Sequence, residues 1–379
     1  MGFHTWIVYK TMAVLDDVSS IIILKHGRRF NRPPPSKAIY VLLRHRYSEI
    51  LRQQSDCFTA RNCVLIDDKN HSGDNYTLFD AVMFGQESSG LTNSPGKPFK
   101  ALNVFTSTFP PDSEAVCDIS YDDFFNLTFS YRLDSDVVLK RFVVRKPNGD
   151  IIAPGVAPPW GANLSSLSNR IRSIIKRKRK AVAYLNYNCK LESSKGMYYN
   201  KLEEIFTEYA LNVDTYNCSY DCDNERCGVT LPDEYYFYII FENYFAEDYV
   251  TNRILDAYDN YVVPILYGGA NLSRFLPPHS YIDGRSTKPR DVVAAIRDSM
   301  DNSTLYEEYF KWRNLYTVVK HQPFCDLCDI LNTRGRHPKP VGRPMASLAP
   351  ATSSANSASP EYHIIEWLLE SPLIHRRGR

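Results

Sequence analysis

Short apolar runs set the rhythm of this chain. In its first half they read NCVLIDD, LFDAVMFG, ALNVFTS and FFNLTFSYRLDSDVVL, each bounded by polar residues, and they predict short strands joined by loops. In the second half the pattern becomes regular. AVAYLNYN (181–188) predicts a strand, GMYYNKLEEIFTEYALN (196–212) a helix and VDTYNC (213–218) a strand. After a cysteine-rich loop, YYFYIIFE (235–242) predicts a buried strand, YVTNRILDAYD (249–259) a helix and VVPILYG (262–268) another strand. Amphipathic helices are expected over 291–300 and 303–316. Strands alternating with helices argue for a parallel sheet covered on both faces.

The flanks have a different character. Residues 1–56 are basic and irregular, with RRFNRPPPSK in their middle, and are expected to form a poorly structured lead-in. SNRIRSIIKRKRK (168–180) reads as a strongly basic stretch, helical or linker. From Thr333 the sequence turns to low complexity, except for the apolar patch YHIIEWLLE. The expected division is therefore 1–56, an N-terminal domain over 57–167, the linker 168–180, a second domain over 181–332 and a tail over 333–379.

Charge and cysteine content narrow the setting. The net charge of +2 gives no support to a nucleic-acid partner. Nine cysteines lie in clusters, and sequons occur at Asn70, Asn75, Asn126, Asn163, Asn217, Asn271 and Asn302. Both features suit a secretory compartment, where disulfides persist. No stretch is long and apolar enough for a membrane span. VSSIIIL (18–24) does not read as part of a signal peptide, because Asp16 and Asp17 interrupt the apolar run ahead of it.

The stretch FENYFAEDYVTNRI (241–254) crowds polar groups between two apolar strands. In a doubly wound sheet, ligands bind beyond the carboxyl ends of the strands. A helix starting at Tyr249 would offer free N–H groups to a phosphate, with Thr251 in its first turn and Arg253 reaching back. Glu242 and Asn243 would meet a ribose or base edge. The plainer alternative is a strand–helix loop capped by Asp248.

Several motifs together resemble the α1,3-fucosyltransferase family, glycosyltransferase family 10. They are FEN…EDYVTNRI, VVPILYGGANLSRFLPPHSYID, YEEYFKWRNLY and FCDLCDIL, with FFNLTFSYRLDSDV and YLNYNC upstream. The similarity spans roughly 57–331, in order. It implies an α/β chain of GT-B type, with two Rossmann-like domains facing a central cleft. The second domain would hold GDP-fucose, and the first a glycoprotein N-glycan acceptor. The implied reaction moves fucose to N-acetylglucosamine in α1,3 linkage with inversion, in the Golgi lumen at the membrane. No resident cofactor is implied, and a divalent metal would be an enhancer at most. Carried over by position, Lys195, Glu242, Asn243, Tyr249, Thr251, Asn252 and Arg253 would line the donor site.

This sequence departs from the family pattern in four places. Asn252 stands where the family has a ribose-facing Glu. Lys195 replaces an Arg, losing bidentate phosphate contact. The PYG expected after the DSDI-like segment is replaced by LKRFVV. Thr108 stands where the general base, a Glu, is expected, which leaves Asp112 and Glu114 as substitutes. An impaired homologue that binds nucleotide or glycan without turnover is the alternative.

Three small motifs compete for attention. Asp134 and Asp136 form a DxD pattern, better read as structural than as a metal site. FCDLC is better read as disulfide-forming than as half a zinc site, with Cys325–Cys328 a tight pair and Cys218, Cys222 and Cys227 further candidates. KRKRK (176–180) is better read as a solvated linker than as a nuclear signal.

Overall fold

The computed structural model describes residues 39–43, 63–67, 80–85, 102–110, 124–161, 165–186, 193–217 and 231–334. These fall into two compact units. The first holds the described residues up to Leu139 and those from Gln322 onward, and the second runs from Lys140 to His321.

Six strands are described in the first unit. They are β1 (Ile39–Leu43), β2 (Cys63–Asp67), β3 (Ala81–Gly85), β4 (Leu102–Ser107), β5 (Leu127–Ser130) and β6 (Val137–Val138). They pair in the order β2-β1-β3-β4-β5-β6, and every pairing is parallel. All residues of β3 and β4 are buried, as strands covered on both faces require. The helix Pro323–Arg334 packs Phe324, Leu327, Cys328 and Leu331 into the same core as Val104, Phe129 and Val137.

The second unit repeats the plan. Its main sheet contains β9 (Lys180–Asn186), β10 (Val213–Asn217), β11 (Tyr235–Phe241), β12 (Val263–Tyr267) and β13 (Ile282–Asp283). The order is β10-β9-β11-β12-β13, again parallel throughout. Counted within each unit, strands run 2-1-3-4-5-6 in the first and 2-1-3-4-5 in the second, the doubly wound order whose direction of winding reverses beside the first strand. A small antiparallel sheet, β7 (Phe142–Arg145), β8 (Ile151–Ala153) and β14 (Thr317–Lys320), belongs to the same unit. Its described residues also form the helices α1 (Asn169–Ile175), α2 (Ser193–Glu208), α3 (Arg253–Asp259), α4 (Pro289–Asp301) and α5 (Ser303–Glu308).

Packing follows the apolar spacing. Leu202, Ile205 and Phe206 of α2 and Val292, Val293 and Ile296 of α4 bury against Val182, Phe237, Ile239, Val263 and Ile265 of the sheet. Each such side chain contributes about 1.5–3 kcal/mol when fully buried. Pro289 opens α4 at a position that needs no amide donor. Asn302 then leaves helical geometry, at φ −130°, and its side chain accepts from Thr304 N at 3.0 Å to start α5.

The structure corrects several expectations. IYVLL at 39–43 is a strand within the supposed lead-in. The boundary between units falls at Leu139, not at 167, and the basic segment 168–180 lies inside the second unit. That segment forms α1, capped by Ser168 Oγ on Ile171 N, and Lys178 is buried rather than solvated. The lysine Nζ donates to the backbone oxygens of Asp233 (2.6 Å) and Asn260 (2.8 Å), joining the amino-terminal approaches to β11 and β12. The helix expected over 303–316 breaks after Glu308 into a short 3-10 turn at Lys311–Asn314.

FCDLC is helical, so Cys325 and Cys328 do not pair. Cys328 is bonded to Cys63 on β2, with their Cα atoms 6.1 Å apart, and Cys325 is disulfide-bonded to a different cysteine. Cys218, Cys222 and Cys227 lie outside the described residues, as do Asn70, Asn75, Asn163, the patch YHIIEWLLE and the run VSSIIIL. Asn126 accepts from Asn103 N at 2.7 Å through Oδ1, and its sequon Thr128 is buried. Asn271 and Asn302 are exposed, and Asn217 closes β10. Among the described residues, no helix is long and apolar enough to cross a membrane.

Candidate functional site

The polar stretch begins where β11 ends. β11 lies between β9 and β12, so its carboxyl end borders the position where the strand order reverses. Glu242 is only 3% exposed. Its amide donates to Tyr267 O at 3.0 Å, continuing the pairing with β12. Its Oε1 accepts from Thr251 N at 2.9 Å. Arg253, the first residue of α3, is 4% exposed and donates from Nη1 to Phe241 O (2.8 Å) and from Nη2 to Asn243 Oδ1 (2.9 Å). The two ends of the loop are thus fastened to each other by one buried carboxylate and one buried guanidinium. Buried charges need such bonds, because an unsatisfied one carries a large desolvation cost.

The middle of the loop is held from outside. Asp248 adopts a left-handed backbone at φ 65°, and its carboxylate accepts from Arg274 Nη1 at 2.6 Å. The same nitrogen reaches Glu247 Oε1 at 3.2 Å. Gly268 and Gly269, directly after β12, let the loop press down. A Cβ on Gly269 would lie 2.4 Å from Ala246 N, and one on Gly268 would lie 2.8 Å from Glu242 Cγ. Below, aromatic rings from three strands and α2 form a floor. Tyr198 stacks on Tyr267 at 4.3 Å, and Phe241 meets Tyr267 at 5.8 Å and Tyr184 at 5.5 Å. Burial, with Tyr199 adding to it and Arg253 opposing, pushes the Tyr184 phenol up to about 12, so it stays neutral.

The expected donor residues are brought together in part. Glu242, Asn243, Thr251, Asn252 and Arg253 form one cluster. Tyr249 packs by its ring, edge-on to Tyr244 at 5.4 Å and with the Arg141 guanidinium 5.9 Å over it. Lys195 lies in the first turn of α2, which follows β9. The helix, however, starts at Arg253 and not at Tyr249. Thr251 therefore lies before it, with its amide given to Glu242, and the hydroxyl makes no hydrogen bond among the described residues. Asp248 is an ion-pair partner, not a cap, and the Asn252 side chain makes no capping bond. Arg253 turns inward onto the loop instead of outward.

In the first unit, Thr108 immediately follows β4, at the carboxyl edge of that sheet. Asp112 and Glu114 lie outside the described residues. Asp136 Oδ2 accepts from both the amide and the hydroxyl of Thr128 at 2.9 Å, and Asp134 takes a two-pronged bond from Arg132 at 2.9 and 2.7 Å. The DxD carboxylates thus tie β5 to β6 and shape the turn between them. No group of three or more His, Cys, Asp or Glu among the described residues is arranged to hold a metal ion.

Sequence reasoning missed Arg274, the glycine pair's contact with the loop, and the aromatic floor. The doublet Gly268-Gly269 after an apolar strand was the available signal for a close backbone approach.

Two family models match the chain. "Glycosyltransferase family 10 (fucosyltransferase) C-term" covers residues 175–343, and "Fucosyltransferase, N-terminal" covers 34–142. Together they take in well over half of its 379 residues. The chain is 34% identical over 259 residues to alpha-(1,3)-fucosyltransferase C of Drosophila melanogaster, covering 66% of this chain and 60% of that protein. It is 27% identical over 277 residues to alpha-(1,3)-fucosyltransferase fut-1 of Caenorhabditis elegans, covering 68% and 58%. To the 3-galactosyl-N-acetylglucosaminide 4-alpha-L-fucosyltransferase FUT3 of Pan troglodytes it is 29% identical over 265 residues, covering 68% and 64%. The chain thus spans about three fifths of the length of these relatives. A crystal structure of an alpha1,3-fucosyltransferase with GDP aligns at 14% identity and a TM-score of 0.43, over 78% of this chain and 85% of that one. Two models of one family, in order and each lying mainly on one of the two doubly wound units, place the chain: it belongs to glycosyltransferase family 10, the fucosyltransferases.

Proposed function

We propose that this chain moves L-fucose from GDP-fucose to N-acetylglucosamine of protein-linked glycans, in α1,3 linkage and with inversion at the fucose anomeric carbon. The observation that carries the reading is the polar cluster of Glu242, Asn243, Thr251, Asn252 and Arg253 at the carboxyl end of β11, beside the reversal of strand order. The names of the fly and nematode relatives support the α1,3 linkage.

The chemistry assigns each residue a task. The bond from the anomeric carbon to the β-phosphate oxygen breaks, and a bond from the acceptor hydroxyl oxygen forms on the opposite face. The acceptor proton passes to a carboxylate, for which Asp112 and Glu114 lie close in sequence to the expected position at Thr108. The departing diphosphate gains charge, which Arg253 and Lys195 stabilise. Arg253 Nη2 already gives one hydrogen to Asn243 Oδ1, so a phosphate contact draws on the remaining guanidinium hydrogens or exchanges that charge-assisted bond for another. In this reading these two cations carry the charge, and a divalent metal is an enhancer at most. The Cys63–Cys328 bond supports residence in an oxidising lumen, and the Golgi is the proposed site, at its membrane.

The absence of a carboxylate at Thr108 favours a second reading, a homologue that binds nucleotide or glycan without turnover. Calorimetric titration with GDP, with UDP as control, tests the donor site first. Selective GDP binding, together with fucosylated product from an N-acetylglucosamine-terminated glycan, is the expected result. No GDP binding overturns the proposal. Selective binding without transfer, joined to a gain of transfer in Thr108→Glu, establishes the second reading instead.

A further inference from the structure

The turn after β13 reaches across to the polar loop through one side chain. Asp283 Oδ1 accepts from Arg285 N at 3.0 Å and Ser286 N at 3.4 Å, which fixes the turn. From it the exposed Arg285 side chain donates Nη1 to Gly269 O at 2.8 Å. Its guanidinium also lies 5.4 Å above the Phe245 ring. Phe245 in turn packs on Tyr267 at 5.8 Å. Gly269 is the glycine whose added Cβ would collide with the Ala246 backbone. One guanidinium therefore holds both surfaces of a contact that has no room for a Cβ. The planar group suits this double task, with a donor in its edge and a cationic face for the ring.

We propose that Arg285 is a positioning residue for nucleotide recognition: it pins residues 243–248 against Gly269, so that Asn243 and the residues behind it present a fixed edge to the donor. The proposal rests on the donor-site reading above. Arg285 does not touch the reacting atoms. It acts by removing alternative loop conformations before the nucleotide arrives, which lowers the ordering cost of binding.

The test uses the full chain with Arg285→Gln and Arg285→Lys. Hydrogen exchange of residues 244–248 is read without ligand, and GDP affinity is read by calorimetry. Arg285→Gln is expected to speed exchange in that segment and weaken GDP binding about tenfold. Its melting temperature stays at the wild-type value, because the side chain is exposed. Arg285→Lys keeps a donor for Gly269 O and a cation over Phe245, and is expected to recover most of both effects. Unchanged exchange in Arg285→Gln overturns the proposal, and so does faster exchange with unchanged GDP affinity. If wild-type chain binds no GDP, the donor-site reading fails, while the exchange measurement still judges whether Arg285 holds the loop.

Discussion

A methyl group at position 269 is the sharpest perturbation the structure offers. The Cβ of Gly269→Ala would lie 2.4 Å from Ala246 N, 2.7 Å from Phe245 C and 2.9 Å from Ala246 C. All three are backbone atoms, so no rotamer relieves the overlap, and the loop must lift by about an ångström to restore van der Waals distance. Overpacking of this kind costs about 1–3 kcal/mol. At roughly 2–4 °C per kcal/mol for a domain of this size, the melting temperature falls by several degrees. Lifting Ala246 also moves Phe245 from beneath Arg285, so GDP affinity drops by at least about tenfold. Gly196→Ala supplies the control, since a Cβ there meets nothing within 4 Å and the position lies inside α2. That change is expected to stabilise the chain by about 0.5–1 kcal/mol through helix propensity. Differential scanning fluorimetry and calorimetric GDP titration on both variants give the answer. A Gly269→Ala protein that melts and binds GDP as the wild type does would refute the close approach of loop and glycine pair.

Two further outcomes follow from buried groups. Cys63→Ser and Cys328→Ser should each destabilise the chain by about 2–5 kcal/mol, because the bond closes a loop across a sequence separation of 265 residues; chemical unfolding should show the double variant no weaker than either single one, and additive losses would contradict the pairing. Lys178 has its pKa pushed down to about 7 by burial, with Arg177 and Arg313 adding to the effect and Asp233 opposing it. A lowered folded-state pKa means that the unfolded chain binds more protons between about 7 and 10.5, so this residue's contribution to stability grows as pH rises through that window. The stability of wild type minus that of Lys178→Met should therefore rise by at most about 2 kcal/mol between pH 7 and 9. A difference that falls over the same range would show the two carbonyl bonds outweighing burial.

The strands were the legible part of this fold, and the reason is burial on both faces. YYFYIIF and VPILY read as strands because a central parallel strand needs apolar residues in succession, a pattern no amphipathic helix produces. IYVLL at 39–43 is hard to read as a strand because basic and proline-rich sequence surrounds it, and composition there outweighs a five-residue run. The helix expected over 249–259 starts later, at Arg253, for a local reason. Tyr249, Val250 and Arg253–Ile254 are buried at nearly helical spacing, but Asp248 stands at positive φ and the Thr251 amide belongs to Glu242. Neither fact leaves a trace in periodicity. The Cys63–Cys328 bond was illegible because the partners are far apart in the chain, whereas the neighbouring Cys325 offered itself as the nearer mate.

The polar crowding between β11 and α3 has two physical causes that sequence alone cannot separate. Polar residues at a strand's carboxyl end are what a ligand needs, and they are also what a sharp, buried loop needs. Glu242 and Arg253 show the second cause directly: both are buried, and the bonds described fasten the loop to itself. Asn243 and Asn252 are half-buried, so they are the members of the cluster with surface to offer a nucleotide. The division predicts different signatures for the two pairs. Truncating Glu242 or Arg253 removes the loop's closure and lowers stability and GDP affinity together, since a buried partner loses its bond. Asn252→Ala, at a cap position where the side chain makes no capping bond and Oδ1 has no hydrogen-bond partner among the described residues, leaves stability near its original value and acts on GDP affinity alone. A loss of stability in Asn252→Ala equal to that in Arg253→Ala would mean that the whole stretch is scaffold, and that the nucleotide must be sought elsewhere along the carboxyl edge.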